Sequence, residues 1–381
     1  MGVVEHPGVW RYTESKRTRE DAMAQFLTST GLRIHDLAFM ALFLLPAIFL
    51  PTALRAAAEP DPLFQSGDIL DITLTGPFTT IDRERDKDTE YTGGTLTYME
   101  NGSPVTLEAK YEVRGNFRLR EDICNYAQLW VDLDKDDVAG TLFENQNKLK
   151  LVVQCRDGER YERYVAKEDQ VYRLYNVLTD LSYRSRLVNV TFVDTDRGRE
   201  RISLGAFIEH KDRVAARNGL DNVDLNAIPL EQLDREQGNM VDIFMFMVAN
   251  TDYSIISAPE DECCHNAKLF HPEGGSRYYP APYDFDSSGY VDASYAQPAP
   301  QLKLRSVRQR LYRGFCVPQD VLDATLGIYR NNRDAMMAIA GDTTHISERE
   351  AQSSVKYLED FYEIIDDPRK LEREILRDCR G

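Results

Sequence analysis

Apolar residues in this chain first recur at every second position and later at every third or fourth. That change of period limits the fold more than any single motif. Leu70, Ile72 and Leu74 alternate with Asp71, Thr73 and Thr75, the pattern of a half-buried strand. Segments 95–99 and 105–113 flank Glu100-Asn101-Gly102-Ser103, and an Asn-Gly pair there predicts a hairpin. Segments 127–133, 148–153, 187–193 and 202–209 supply further strands. Segment 164–178 is helical, with Val171, Leu174, Tyr175 and Leu178 on one face. Residues 210–218 predict a short helix closed by Gly219. Residues 230–249 predict a long helix whose Leu233, Met240, Phe244 and Met247 stripe is core packing. Short strands at 267–270 and 278–285 flank Gly274-Gly275. Residues 317–380 are helical by pattern, with breaks at Gly341 and Pro368. Strands dominate before residue 160 and helices after 220. That order predicts an α+β fold with a sheet-rich first lobe (59–209) and a helical second lobe (210–381).

The chain has 381 residues, 42% hydrophobic and 29% charged, so it can bury a sizeable core and is not a disordered chain. Its net charge of −17 argues against a nucleic-acid partner, which would need clustered Lys and Arg. An apolar run at 37–54 follows Arg33 and His35 and precedes Arg55-Ala56-Ala57-Ala58. This reads as a leader (1–58) with a signal peptide cut near Ala58. An uncleaved membrane anchor is the competing reading, with Pro46 and Pro51 awkward for a span. Met23 is a second candidate start. All six cysteines lie beyond this leader, and an even count in an exported chain predicts disulfides. Cys124 with Cys155 is the first pairing expected; one of Cys263 or Cys264 with Cys316 is the second. Cys263-Cys264-His265 lacks the paired spacing of a zinc site. The expected location is extracytoplasmic, in a bacterial envelope or beyond it.

Asn250-Thr251-Asp252, His265-Asn266 and Asp284-Phe285-Asp286 gather carboxylates and amides between apolar segments. Such oxygen donors suit a hard cation such as Mg²⁺. They also suit phosphoryl transfer, in which one carboxylate orients the attacking hydroxyl while others hold the metal against phosphates. Asp252 is the candidate general base, and Asn266, Asp284 and Asp286 the candidate metal ligands. Asp284 and Asp286 are spaced i, i+2, which on an extended strand turns both to one face. His265 is expected to pack or support rather than react. The acidic loop 134–137 reads as a solvated turn, and Arg305, Arg308, Arg310 and Arg313 as a solvated helix face.

In order, these motifs resemble those of the spore-coat-protein-H-like (CotH) kinases. Val113-Arg114-Gly115-Asn116 is similar to the family's R-G-N-S stretch, with Phe117 in place of serine. The strand 148–153, followed by Asp157 and a helix, has its counterpart there. Leu204 to Glu209 resembles G-x-Y-x-x-x-E, one residue short. Asn250-Thr251-Asp252 with Asn266 resembles the N-x-D…N segment, and Pro282-Tyr283-Asp284-Phe285-Asp286 resembles P-W-D-x-D. The likeness covers roughly residues 71–289. It implies a two-lobed atypical protein-kinase-like fold that binds ATP with Mg²⁺ or Mn²⁺ and phosphorylates a protein hydroxyl. Glu209 would lie near the adenine.

The family's paired lysines are absent from Cys124-Asn125-Tyr126-Ala127-Gln128. Lys148, Lys150 or Arg114 is left to meet the phosphates, with Glu168 as a partner acid on the helix. No G-x-G-x-x-G loop is present. Two rivals use the same residues: a non-catalytic binding or structural protein, and a Ca²⁺-stabilised surface protein.

Overall fold

The computed structural model describes residues 57–85, 91–223, 225–258 and 263–381. The apolar run and most of the leader lie outside them. Strands β1 (Leu70–Gly76), β2 (Thr92–Glu100), β3 (Ser103–Arg114), β4 (Gln128–Leu133), β5 (Lys148–Val153), β6 (Ser185–Asp194) and β7 (Arg199–Ile208) form a closed barrel in the order β1-β2-β3-β4-β5-β7-β6. Helix α1 (Phe78–Glu84) follows β1, and α2 (Glu159–Asn176) joins β5 to β6. After the barrel come α3 (Lys211–Asn218), the two-residue β8 (Asp221–Asn222) and α4 (Arg235–Val248). Strand β9 (Ala267–His271) pairs with β8 on one side and with β10 (Tyr279–Pro282) on the other in a small sheet. The chain ends in α5 (Gln319–Asn331), α6 (Arg333–Ala340), α7 (Glu348–Asp366) and α8 (Pro368–Leu371).

The barrel corrects the two-lobed kinase-like α+β fold expected from the sequence. β6 pairs with β1 in parallel from Leu70↔Val188 to Gly76↔Asp194, so the first sheet closes on itself. Alternation identifies a strand and its buried face. It does not identify a partner far along the chain, and here that partner sets the architecture.

Local readings fared better. The hairpin turns at Asn101-Gly102 with Glu100 opposite Ser103, and both turn residues have positive φ (50° and 80°), as a type I′ turn requires. His210 accepts the Asp212 N–H at the start of α3, and Gly219 (φ 64°) ends it. The helix expected at 230–249 begins only at Arg235, because the Asp234 side chain accepts the Gln237 N–H there. Breaks fall at Gly341 and Pro368, as read.

Two cores result. Leu74, Leu96, Val131, Leu149, Leu151, Val188 and Phe207 fill the barrel. The second core joins α2, α4 and the C-terminal helices. Residues Tyr164–Tyr172 of α2 are buried without interruption, since the helix has protein on all sides. Met240–Val248 of α4 are buried likewise.

All six cysteines are paired. Cys124–Cys155 is as expected. The second expected pairing is corrected: Cys263 bonds its neighbour Cys264, and Cys316 bonds Cys379. The chain end returns beside Cys316, whose N–H donates to Arg380 O at 2.7 Å. Three disulfides fit an oxidising compartment. Among the described residues no helix is long and apolar enough to cross a membrane.

Neighbouring glycines on β2 separate a packing requirement from a neutral site. A Cβ on Gly94 would strike the Thr75 carbonyl and the Tyr111 ring, whereas one on Gly93 meets nothing within 4 Å. Gly94→Ala should cost about 1–3 kcal/mol, and Gly93→Ala should stay within about 0.5 kcal/mol. Urea unfolding of both variants checks this; equal losses would show that strand approach at Gly94 is not tight.

Candidate functional site

The β5 register prepares the site. Leu149, Leu151 and Val153 point into the barrel, so Lys150 points outward. There it stands opposite Trp130 of β4 and Ile208 of β7. All three line a cavity of ≈ 690 Å³, together with Arg114, Asp252, Asn266 and Asp284.

At one side of this cavity lies a buried cluster of charges. Arg118, in a short helical turn after β3, places Nε 3.2 Å from Asp286 and NH2 3.6 Å from Asp284. Lys150 Nζ is 3.5 Å from Asp284 Oδ1, beyond good hydrogen-bond range, and 5.0 Å from the Tyr283 ring centre. Arg114 and the 3%-exposed Glu168 of α2 complete the group. Three cations thus face three carboxylates. Arg114 NH1, Lys150 Nζ, Glu168 Oε1 and Asp284 Oδ1 are all buried without a hydrogen-bond partner.

Burial and charge oppose each other at every member. Burial pushes the Asp284 carboxyl up, but Lys150, then Arg118 and Arg114, outweigh it and hold it well below the usual range. Burial works against the Arg118 charge, and Asp286, Tyr295, Glu168 and Asp284 together more than offset it. Burial pulls Lys150 below the ordinary lysine range and Arg114 adds to this; Asp284 and Glu168 recover only part. Burial raises Glu168, which Arg118 reverses only in part.

Asp284 follows β10 in a left-handed conformation (φ 63°), which is strained for a residue with a Cβ. Its N–H donates to the Tyr172 hydroxyl at 3.0 Å, and the Tyr172 ring packs edge-on against Phe285. Asp284 and Asp286 therefore do not share a face of an extended strand, as their spacing suggested. They converge because Arg118 lies between them.

Asp252 is a contrasting carboxylate, 61% exposed. Asn250 Oδ1 accepts its N–H at 3.0 Å, and His265 Nε2 meets its Oδ1 at 2.9 Å. That bond to Asp252 raises the His265 pKa against the effect of burial. Asn266 Nδ2 donates to Asp252 O at 2.6 Å, leaving its amide oxygen as the atom it can offer a cation. The arginines of 305–313 are not the solvated helix face expected, because this segment is not helical. Arg313 donates to the Thr251 carbonyl, and Arg310 to Met247 O and Tyr357 O, so they staple the loop.

The cavity brings together Arg114, Lys150, Glu209, Asp252, Asn266, Asp284 and Asp286. Lys148 is not among the lining residues; it pairs with Glu112 at 2.7 Å beside Trp130. The Glu209 carboxylate is already taken by Arg217 (3.1 and 3.0 Å) and the Arg184 N–H. Arg118 went unread because no periodic pattern marks it, and Trp130 because its role follows from its register with Lys150. Among the described residues no group of three or more His, Cys, Asp or Glu side chains could hold a metal ion. Mg²⁺ asks for less: one or two carboxylates, waters and substrate phosphates. The oxygens of Asn266, Asp284 and Asp286 fit that donor set. No family model matches the chain, and no curated protein matches it significantly.

Proposed function

We propose that this chain is a metal-dependent phosphotransferase that moves the γ-phosphoryl group of ATP to a hydroxyl of a protein. The observation that carries the proposal is the buried cluster of Arg114, Arg118 and Lys150 against Glu168, Asp284 and Asp286, beside a cavity that also holds Asp252 and Asn266. The ordered likeness to the CotH kinases supports the same activity, and the disulfides support work in a periplasmic, cell-surface or secreted setting.

Lys150 and Arg114 receive the phosphates, Lys150 exchanging Asp284 for a phosphate oxygen and Arg114 gaining an acceptor for its unpartnered nitrogen. Asn266, Asp284 and Asp286 are the residues that would hold Mg²⁺ or Mn²⁺, and the ion would supply neutralisation of charge on the phosphates. Asp252 positions the acceptor hydroxyl and takes its proton as the oxygen–phosphorus bond forms. The bond from Pγ to the bridging oxygen breaks, and its electron pair leaves with ADP. His265 holds Asp252 Oδ1 at 2.9 Å, and Oδ2, with only a long 3.4 Å bond from Asn266 Nδ2, is the oxygen that meets the acceptor.

A thermal-shift assay with ATP and Mn²⁺ or Mg²⁺ tests binding. Saturating nucleotide and metal should raise Tm by about 2 °C or more. Lys150→Met and Asp284→Asn should abolish the rise. Asp252→Asn should keep it while lowering transfer of labelled phosphate by about 10²–10⁴-fold. No shift with any nucleotide and metal would defeat the proposal. The equality of charge within the cluster favours a second reading, a non-catalytic protein in which these pairs only hold the fold. That reading expects Asp252→Asn to change nothing.

Binding should also depend on pH. Lys150 loses its proton below the ordinary lysine value of about 10.4, and phosphate favours the charged form. Nucleotide affinity should therefore be full near neutral pH and weaken as pH rises towards that value. Lys150→Arg should flatten this alkaline limb, since Arg stays charged. An unchanged limb in the variant would remove Lys150 from the phosphate site.

A further inference from the structure

A second cavity, of ≈ 470 Å³, lies between α2, the start of β6 and residues 59–67. No residue lining it also lines the first. Its size suits a small molecule. Asp169 of α2 reaches it while being only 4% exposed. The Ser185 hydroxyl donates to Asp169 Oδ1 at 2.6 Å. Asp169 Oδ2 has no hydrogen-bond donor among the described residues, and its nearest cation is Arg173 at 3.9 Å. Arg184 also lines the cavity. Its NH2 is held by Asp180 at 3.1 Å, but its buried Nε has no acceptor. Phe64, Pro60 and Leu187 give the cavity an apolar side.

An unmet buried donor or acceptor costs about 1–3 kcal/mol. Here Arg184 Nε is such a donor, and the Asp169 carboxylate of the same cavity has Ser185 as its hydrogen-bond donor and Arg173 as an ion-pair partner at 3.9 Å. A simple anion would satisfy Arg184 but sit against Asp169. A simple amine would do the reverse. A molecule bearing both charges satisfies both, and the planar guanidinium suits a carboxylate. We propose that this cavity binds a small zwitterion of the larger amino-acid class, its carboxylate on Arg184, its ammonium on Asp169 and its apolar body against Phe64 and Leu187. The proposal uses only this cavity's own groups and does not rest on the phosphoryl-transfer reading.

Isothermal titration of the full chain with L-phenylalanine and L-leucine tests it. 3-Phenylpropionate lacks the ammonium and 2-phenylethylamine lacks the carboxylate, so they serve as controls. At least one amino acid should bind saturably, one to one, with a Kd at or below ~1 mM. The phenylalanine analogues, and the Asp169→Asn and Arg184→Gln variants, should each bind roughly tenfold more weakly or worse. Should a variant fail to fold, the two analogues on the unaltered chain decide. Absence of saturable binding by either amino acid up to ~10 mM would overturn the proposal. So would 3-phenylpropionate binding as tightly as phenylalanine.

Discussion

The parallel pairing of β1 with β6 is the constraint from which the rest follows. It closes the barrel and gives each strand two unlike faces. Inside, Leu149, Leu151 and Phe207 must be apolar. Outside, α2 packs on β6 and β7, while the outer face of β3, β4 and β5 floors the first cavity. A one-residue slip of β5 would carry Lys150 into the apolar interior and set Leu149 or Leu151 among the carboxylates. The hydrophobic core and the charge cluster therefore enforce one register.

The cluster is costly to bury and holds only as a group. Two unit charges at the 3.5 Å separation of Lys150 and Asp284 attract by about 5 kcal/mol at an effective dielectric of 20. Desolvating each ion costs several kcal/mol, so a single pair would barely break even. Asp284 has three cations around it, and Arg118 has two carboxylates. This multiplicity keeps Asp284 ionised in a half-buried place. It also makes the cluster open to exchange. A phosphate oxygen that replaces a carboxylate at Lys150 leaves the cation compensated, and it frees an Asp284 oxygen for a metal.

What could be read from the sequence was what local physics dictates. Alternation located the barrel strands, Asn101-Gly102 fixed a hairpin, and Gly219 ended α3. The candidate residues 252, 266, 284 and 286 do line one cavity. Between Lys148 and Lys150 the sequence offered no choice, since both face outward. The structure separates them by their neighbours, Glu112 for one and Asp284 for the other. Arg118, the barrel closure and the Cys316–Cys379 bond depend on contacts between distant segments, which no local period encodes.

The two central aspartates show how environment gives one side-chain type two settings. Asp284 is half-buried, its N–H fixed by Tyr172 and its charge held by Lys150, Arg118 and Arg114. A carboxylate kept ionised that firmly is a poor proton acceptor and a good cation ligand. Asp252 is open to solvent on a stapled loop, with one oxygen engaged by His265 and its backbone anchored by Asn250 and Asn266. Such a carboxylate can meet an incoming hydroxyl and pass its proton on to water. The two carboxylates thus differ in exposure and in charged neighbours before any sequence likeness is considered.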